Sequence, residues 1–171
     1  MHEAIQFAIR AYKNAKRYDG SNFLGHALRV ALILTQEVEE ADEETIVVAI
    51  LHDAVEEHGV GMVEISRAFG PITTSHIAWL TKFSPPRERE KETDVFHLNC
   101  VTGAPRCVRM ARLADRLDNM RSVPFLPEEQ YARIRDYHEH ALPTVLELAG
   151  MTNEWFIEPL KSVNMDRLAD R

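Results

Sequence analysis

Residues 46–57 read IVVAILHDAVEE, and this stretch decides the fold. Six apolar residues follow one another from Ile46 to Leu51, so a helix here has no polar face and must lie in the middle of a domain. Asp42 precedes two glutamates and is a typical helix N-cap. The sequence therefore predicts a buried central helix over residues 43–57, with ionisable side chains collected at its end.

The rest of the chain also has a helical pattern. Apolar residues recur mostly at helical spacing, and only seven of the 171 residues are glycine. We predict an all-α fold, a single compact bundle of roughly seven helices that forms one domain over residues 1–171. Residues 84–104 contain Pro85, Pro86 and Gly103 and are predicted as a loop or mobile lid. The predicted helices cover residues 2–17, 25–39, 43–57, 62–69, 71–82, 105–121, 128–148 and 153–167.

Composition limits the kinds of partner. The net charge of −7 argues against binding to nucleic acid, which needs a basic face. No apolar run approaches the roughly 20 residues of a membrane helix, and residues 1–3 lack a basic leader, so we expect a cytoplasmic protein that does not bind membranes. Cys100 and Cys107 form neither a disulfide framework nor a zinc motif. A small anionic substrate would need a local cation, such as a bound metal ion.

His52 and Asp53 follow the apolar run without a break. Charge beside such a helix is costly unless it is paired or bound to a metal ion. The alternative is that the helix simply leaves the core and becomes solvated. That alternative explains Glu56 and Glu57 well, but it explains His52 and Asp53 less well.

Two further residues lie on apolar faces of predicted helices. His26 is on the apolar stripe of its helix, where a histidine is either a hydrogen-bonded core residue or a ligand. Asp115 lies near the apolar side of the helix over 105–121 and needs a partner. Arg112 or Arg116 could supply that partner as an ordinary salt bridge.

Together these residues resemble a known family. A His, then a His-Asp pair 26 residues later, then an Asp about 60 residues further on is the pattern of the HD-domain phosphohydrolases. More narrowly, residues 7–147 resemble the hydrolase domain of RelA/SpoT-type enzymes and its stand-alone small forms, which remove pyrophosphate from guanosine tetra- and pentaphosphate. The matching segments are RYDG at 17–20, ILHDAVEE at 50–57, FG at 69–70, TK at 81–82 and LADRLDNMR at 113–121.

The resemblance implies a metal site. His26, His52, Asp53 and Asp115 would bind one divalent ion, with Mn²⁺ as the expected metal, although two imidazoles and two carboxylates also suit Fe, Co or Zn. The metal would activate a water molecule and neutralise charge on the phosphate.

The resemblance also implies the remaining roles. Glu56 and Glu57 would stand where the family has a Glu-Asp pair that orients and deprotonates the attacking water. Arg17 would lie against the guanine base, and Asn119 would hydrogen-bond the nucleotide. The partner is then a small anionic nucleotide; a homo-oligomer is compatible with the sequence but is not indicated by it.

Some positions depart from the family pattern. Glu57 replaces an Asp, Tyr18 and Asp19 replace a Lys-Ser pair, and Asp118 replaces a His or Tyr and adds negative charge. These changes leave two alternatives open: an HD-fold phosphohydrolase that acts on another nucleotide or phosphoester, and a weakly catalytic metal protein that senses a nucleotide.

Overall fold

The computed structural model describes residues 1–38, 40–82 and 91–167. Within these ranges the chain has eight α-helices and no β-strand, which confirms the all-α prediction. The helices are α1 His2–Ala11, α2 Phe23–Leu32, α3 Glu43–Leu51, α4 Met62–Leu80, α5 Lys91–Val101, α6 Arg106–Ser122, α7 Glu128–Thr152 and α8 Ile157–Ser162. A π-helical turn at Ile33–Glu37 extends α2, and 3-10 turns at Val123–Phe125 and Glu154–Phe156 follow α6 and α7.

The helix α3 is central, as predicted. Asp42 caps it by accepting a hydrogen bond from the Thr45 amide at 2.8 Å, and α3 contacts α1, α2, α4 and α6. The predicted end at residue 57 was wrong, because α3 ends at Leu51 and tight turns follow. The Ala54 amide donates to the Leu51 carbonyl at 3.0 Å, which closes a shorter ring than an α-helix would. The ionisable residues after Leu51 therefore lie on a turn at the end of a buried helix.

The first helix is shorter than predicted. It ends at Ala11 rather than residue 17, and Asn14 adopts a left-handed conformation with φ of 67°. Asparagine tolerates this conformation better than most residues, so the chain can turn away from the helical path just after α1. Residues 12–22 then form the loop that carries Arg17.

The structure corrects the prediction of a loop over 84–104. Residues 91–101 form α5, which buries Asp94, Leu98 and Val101 and packs against α7. Gly103 follows this helix instead of interrupting it. Residues 84–90, where the loop or lid was also predicted, lie outside the described residues.

The other helices follow the predictions with changed bounds. The predicted helices 62–69 and 71–82 are the two parts of α4, which is broken at Gly70, where φ is 82°. Proline at position 143 does not interrupt α7, and the predicted last helix over 153–167 is only a 3-10 turn followed by α8.

The core is centred on α3 and α6. Nine consecutive residues of α6, 110–118, are buried, and four of them are charged: Arg112, Asp115, Arg116 and Asp118. The buried hydrophobic residues that the structure describes form one cluster, but the assignment of residues 1–171 to a single domain stays a prediction. No described helix is both long and apolar enough to cross a bilayer, and the cytoplasmic location likewise stays a prediction.

Candidate metal centre

The four residues predicted as metal ligands meet at one place, which we call the His–Asp cluster: His26, His52, Asp53 and Asp115. His26 comes from the middle of α2, His52 and Asp53 from the turn after α3, and Asp115 from α6. The two imidazole Nε2 atoms are 3.3 Å apart, and Asp115 Oδ1 lies 3.3 Å from that of His26 and 3.5 Å from that of His52. Asp53 Oδ2 is 2.9 Å from His52 Nε2 and 3.9 Å from His26 Nε2.

The hydrogen bonds of the two imidazoles direct their Nε2 atoms towards a cation. His26 Nδ1 lies 2.7 Å from Asp118 Oδ2, and His52 Nδ1 lies 2.7 Å from the Ala49 carbonyl. A carboxylate and a carbonyl only accept, so both Nδ1 atoms carry a proton, and in the neutral form of each ring the Nε2 lone pair is directed at the cluster.

The spacing of the donors fits a divalent ion. Ligand atoms from His26, His52 and Asp115 all lie within 4.8 Å of one another. Two ligands that are each about 2.1 Å from one ion stand roughly 3.0 to 3.4 Å apart, as these atoms do. The donor set, with two imidazole nitrogens and carboxylate oxygens, is also one that binds first-row transition metals. The cluster can therefore hold a metal ion.

The electrostatics of the cluster favour positive charge. Burial lowers the pKa of His52, but Asp53 and Asp115 outweigh burial and raise that pKa well above its usual value. Burial raises the pKa of Asp115, but hydrogen bonds with His26 and His52 outweigh it and hold the pKa well below the usual range. Both carboxylates thus stay charged beside the imidazoles.

Asp115 is held by two neighbours on its own helix. Arg112 Nη1 donates to Asp115 Oδ2 at 3.0 Å, while Arg112 Nη2 donates to the Leu80 carbonyl at 2.8 Å. Asn119 Nδ2 donates to Asp115 Oδ1 at 2.6 Å. The salt bridge considered as an alternative role for Asp115 is present, but it uses Oδ2 and leaves Oδ1 facing the histidines.

The two residues predicted to bind the nucleotide are in contact. Arg17 Nη2 donates to Asn119 Oδ1 at 2.7 Å, although the residues are 102 positions apart. The guanidinium carbon of Arg17 lies 5.8 Å from the centre of the Phe23 ring. The loop after α1 thus brings Arg17 to the edge of the cluster.

The predicted catalytic pair lies on the turn that follows His52 and Asp53 in the chain. Glu56 Oε2 accepts a hydrogen bond from the Lys82 backbone amide at 2.7 Å. Burial raises the pKa of Glu56, and the positive charge of Lys82 opposes this effect only in part. Glu57 is exposed on the same turn. A half-buried carboxylate with a raised pKa is a suitable proton acceptor.

Asp118 has a role that the sequence analysis missed. It was interpreted as added negative charge at a nucleotide site, but its side chain is buried and contacts His26 and Arg29. Arg29 follows His26 by three residues, and Asp118 follows Asp115 by three. That shared helical spacing was the available signal, because residues three apart lie on one face of a helix.

A cavity of about 440 Å³ lies beside Arg29 and Asp118. It is lined by polar and charged residues from the loop before α2, from the end of α2 and from α6, together with a few apolar ones. Among its lining residues are Asp19, Glu37, Arg121, Ser122 and Phe125. The cavity can take part of a small polar molecule next to the cluster.

Lys82, Asp94, Arg116 and His138 form a second buried polar group, here called the ion network. Asp94 accepts from Lys82 Nζ at 2.9 Å and from Arg116 Nη2 at 2.7 Å. Arg116 Nη1 donates to His138 Nδ1 at 3.1 Å. The network was not predicted, because Asp94 lies on α5, which was predicted to be a loop.

Comparison with known proteins gives relatives along nearly the whole chain. The HD domain family matches residues 4–142. The guanosine-3′,5′-bis(diphosphate) 3′-pyrophosphohydrolase MESH1 of Danio rerio is 31% identical over 174 residues, which cover 96% of this chain and 92% of that protein. A GTP pyrophosphokinase of Streptomyces coelicolor is 31% identical over 94% of this chain, but the match covers only 19% of that longer protein.

A solved structure has the same fold. It is that of a metazoan ortholog of SpoT, described as hydrolysing ppGpp and acting in starvation responses. It matches with a TM-score of 0.80 and 21% identity, over 95% of this chain and 92% of that chain. At this identity the likeness concerns the fold.

Proposed function

Because this chain belongs to the HD domain family, we propose that it is a metal-dependent phosphohydrolase that removes the 3′-pyrophosphate from guanosine tetra- and pentaphosphate. The observation that carries the proposal is the convergence of two imidazole nitrogens and Asp115 Oδ1 within 3.3–3.5 Å. The similarity to MESH1 over most of both chains supports the choice of substrate.

We propose that His26, His52, Asp53 and Asp115 hold one divalent ion, with Mn²⁺ as the expected metal. Their Nε2 and carboxylate oxygen atoms face one another, and both imidazoles are held in the required tautomer. When bound, the ion lowers the pKa of a water molecule and neutralises charge that develops on the phosphoryl oxygens.

In the proposed reaction, Glu56 accepts the proton of the attacking water. Its raised pKa suits this role, and the Lys82 amide orients its carboxylate. Glu57 is the second carboxylate on the same turn and orients the water. Water attacks the phosphorus that is bonded to the 3′ oxygen, and the bond between this phosphorus and the 3′ oxygen breaks. The 3′ oxygen takes up a proton, so the products are pyrophosphate and GDP or GTP with a 3′ hydroxyl.

The substrate is held beside the metal by residues that already contact each other. Arg17 lies against the guanine base, and its hydrogen bond to Asn119 aligns it with α6. Asn119 also contacts Asp115, so nucleotide binding and the metal site share one side chain. Positioning of this kind matters because misplacement by about 1 Å can cost ~100-fold in rate.

The test is product analysis with purified, Mn²⁺-loaded protein and guanosine tetraphosphate, with EDTA as the control. We expect equal amounts of pyrophosphate and GDP, formed only when the metal is present. Release of orthophosphate, or turnover that EDTA does not stop, would contradict the proposal.

A second candidate is an HD-fold phosphohydrolase that acts on another nucleotide or phosphoester. The observation in its favour is the carboxylate of Asp19, which lines the cavity and is held by the amide and hydroxyl of Ser21 at 2.9 and 2.6 Å. A negative charge at this position would favour a substrate that presents hydrogen-bond donors to it. A panel of nucleotides, in which another substrate is hydrolysed faster than guanosine tetraphosphate, would favour this candidate. Tight nucleotide binding without turnover would instead indicate a sensor.

A further inference from the structure

We infer that Asp118, held in place by Arg29, is a positioning residue that aligns His26 for the metal ion and strengthens metal binding. The inference rests on the metal site of the proposed function. It concerns the two residues on the side of His26 that faces away from the cluster.

The contact between Asp118 and His26 fixes the imidazole. His26 is fully buried, and its Nδ1 lies 2.7 Å from Asp118 Oδ2. Because the carboxylate can only accept, the ring must carry its proton on Nδ1 and present the Nε2 lone pair to the cluster. The same hydrogen bond fixes the rotation of the imidazole ring about its Cβ–Cγ bond.

Arg29 holds the carboxylate in turn. Its Nε donates to Asp118 Oδ1 at 2.8 Å and its Nη2 to Asp118 Oδ2 at 3.0 Å, a two-point contact that fixes the plane of the carboxylate. Arg29 also supplies the positive charge that allows Asp118 to remain buried and ionised. The pair joins α2 to α6 beside the cluster, since each residue is one helical turn from a proposed ligand.

The other histidine of the cluster, His52, has a neutral partner at its Nδ1. His52 Nδ1 donates to the Ala49 carbonyl, which is neutral. A carboxylate makes an imidazole a stronger ligand than a carbonyl does, and loss of such a supporting group typically costs about 10- to 100-fold in metal affinity. His26 is therefore the histidine whose binding depends on the residues behind it.

The chain offers a matched control in the same cavity. Arg121 donates to both carboxylate oxygens of Glu37 at 2.8 Å, so this pair has the same chemistry as the Arg29–Asp118 pair. In the described structure Glu37 makes no contact with His26. Glu37→Gln thus changes the charge of the cavity by the same amount as Asp118→Asn without touching the histidine.

The experiment measures the Kd for Mn²⁺ alone, by calorimetry without nucleotide, in the wild type and in Asp118→Ala, Asp118→Asn, Arg29→Gln and Glu37→Gln. We expect Asp118→Ala to weaken Mn²⁺ binding by about 10- to 100-fold, the other two variants of the pair to weaken it less, and Glu37→Gln to leave it unchanged. In metal-free protein the NMR shift of the His26 Nδ1 proton should change in Asp118→Ala and stay as in the wild type in Glu37→Gln, which ties a change in Kd to the loss of this hydrogen bond.

The outcomes separate this inference from the proposed function. If Asp118→Ala and Asp118→Asn bind Mn²⁺ as tightly as the wild type, the inference is overturned and the proposed function stands. If the wild type binds Mn²⁺ but hydrolyses no nucleotide, the proposed function fails and the inference is still judged by the Kd values. If Asp118→Ala does not fold, Asp118→Asn and Arg29→Gln decide, and unchanged affinity in both overturns the inference. A wild type that binds no Mn²⁺ overturns both.

Discussion

The His–Asp cluster and the ion network both place charge inside the same helical bundle, but they balance that charge in different ways. In the ion network, the two oxygens of Asp94 each accept from a different cation, Lys82 and Arg116. In the cluster, two carboxylates and the Nε2 atoms of two imidazoles face one another, and Arg112 contacts Asp115 from the side. The network is held together by its own side chains, whereas the cluster gains most from an added cation.

The two regions are neighbours on one helix. Asp115 and Arg116 are consecutive in α6, and adjacent side chains of a helix diverge by about 100°, so one serves the cluster and the other the network. Lys82 joins the two regions, because its amide holds Glu56 and its ammonium group contacts Asp94. Consecutive buried charged residues of one helix therefore belong to two different sites. The contacts of their side-chain atoms show which residue belongs to which site.

The largest expected effect follows from breaking the cluster with Asp53→Ala. The wild type should gain about 2.7 kcal/mol of stability when free Mn²⁺ is at about 100 times its Kd. In Asp53→Ala both this gain and detectable hydrolysis should disappear, as measured by urea unfolding with and without Mn²⁺. The matched control is Glu44→Ala, which removes a histidine–carboxylate contact at the other end of α3. A variant of Asp53 that keeps the full stabilisation would exclude it as a ligand.

The second largest expected effect concerns Glu56, whose carboxylate is held by the Lys82 amide between the two regions. Glu56→Gln should lower kcat by about 10²- to 10⁴-fold, because the amide cannot accept the proton of water. Its Mn²⁺ affinity should not change, since Glu56 is not among the proposed ligands. Steady-state kinetics and calorimetry on the same sample check both expectations. Loss of Mn²⁺ from this variant would mean that a ligand has been misassigned.

The ion network can be broken without touching the cluster. Asp94→Asn leaves Lys82 and Arg116 buried without their carboxylate, and should cost about 3–5 kcal/mol of unfolding free energy in metal-free protein. Asp136→Asn is the matched control, because the ion pair of Asp136 with Lys91 is exposed and worth about 0–1 kcal/mol. Similar losses in the two variants would show that the network contributes little.

The smallest effect concerns pH, and it distinguishes the histidines of the two regions. Burial and, after it, the positive charge of Arg116 lower the pKa of His138 to about 3, despite nearby carboxylates. As the pH falls, His138 therefore takes up a proton in the unfolded chain before it does so in the folded protein. The free energy of unfolding is unaffected by the titration of His138 above about pH 6.5 and decreases as the pH drops from there towards 3. The pKa of His52 shifts upwards, so its contribution has the opposite sign.

We expect His138→Asn to reduce the loss of unfolding free energy between pH 7 and pH 5 by about 2 kcal/mol in metal-free protein. Asparagine retains an acceptor for Arg116, so the comparison removes mainly the titration. Urea unfolding at the two pH values measures the difference. An unchanged loss would show that His138 keeps its ordinary pKa in the folded protein.

Much of the fold could be predicted from hydrophobic periodicity. The central helix, its cap at Asp42 and the break at Gly70 are local features, because they depend on residues a few positions apart. The helix over 91–101 could not be predicted in this way, since its charged and aromatic residues have little helical pattern of their own. Packing against α7 stabilises it instead, which overrides the local preference.

The sequence by itself determined the chemistry of the candidate site. The resemblance carried by His26, His52, Asp53 and Asp115 predicted that they meet, and the structure brings them together, while their roles as ligands remain proposals. Only the tertiary structure decided which groups support them. Asp118 contacts His26, which is 92 positions away in the sequence. Asp94, which contacts Arg116, lies on a helix that was not predicted. The physical reason is that helical periodicity determines the face on which a side chain lies, whereas its partner depends on which helices pack together and in what register.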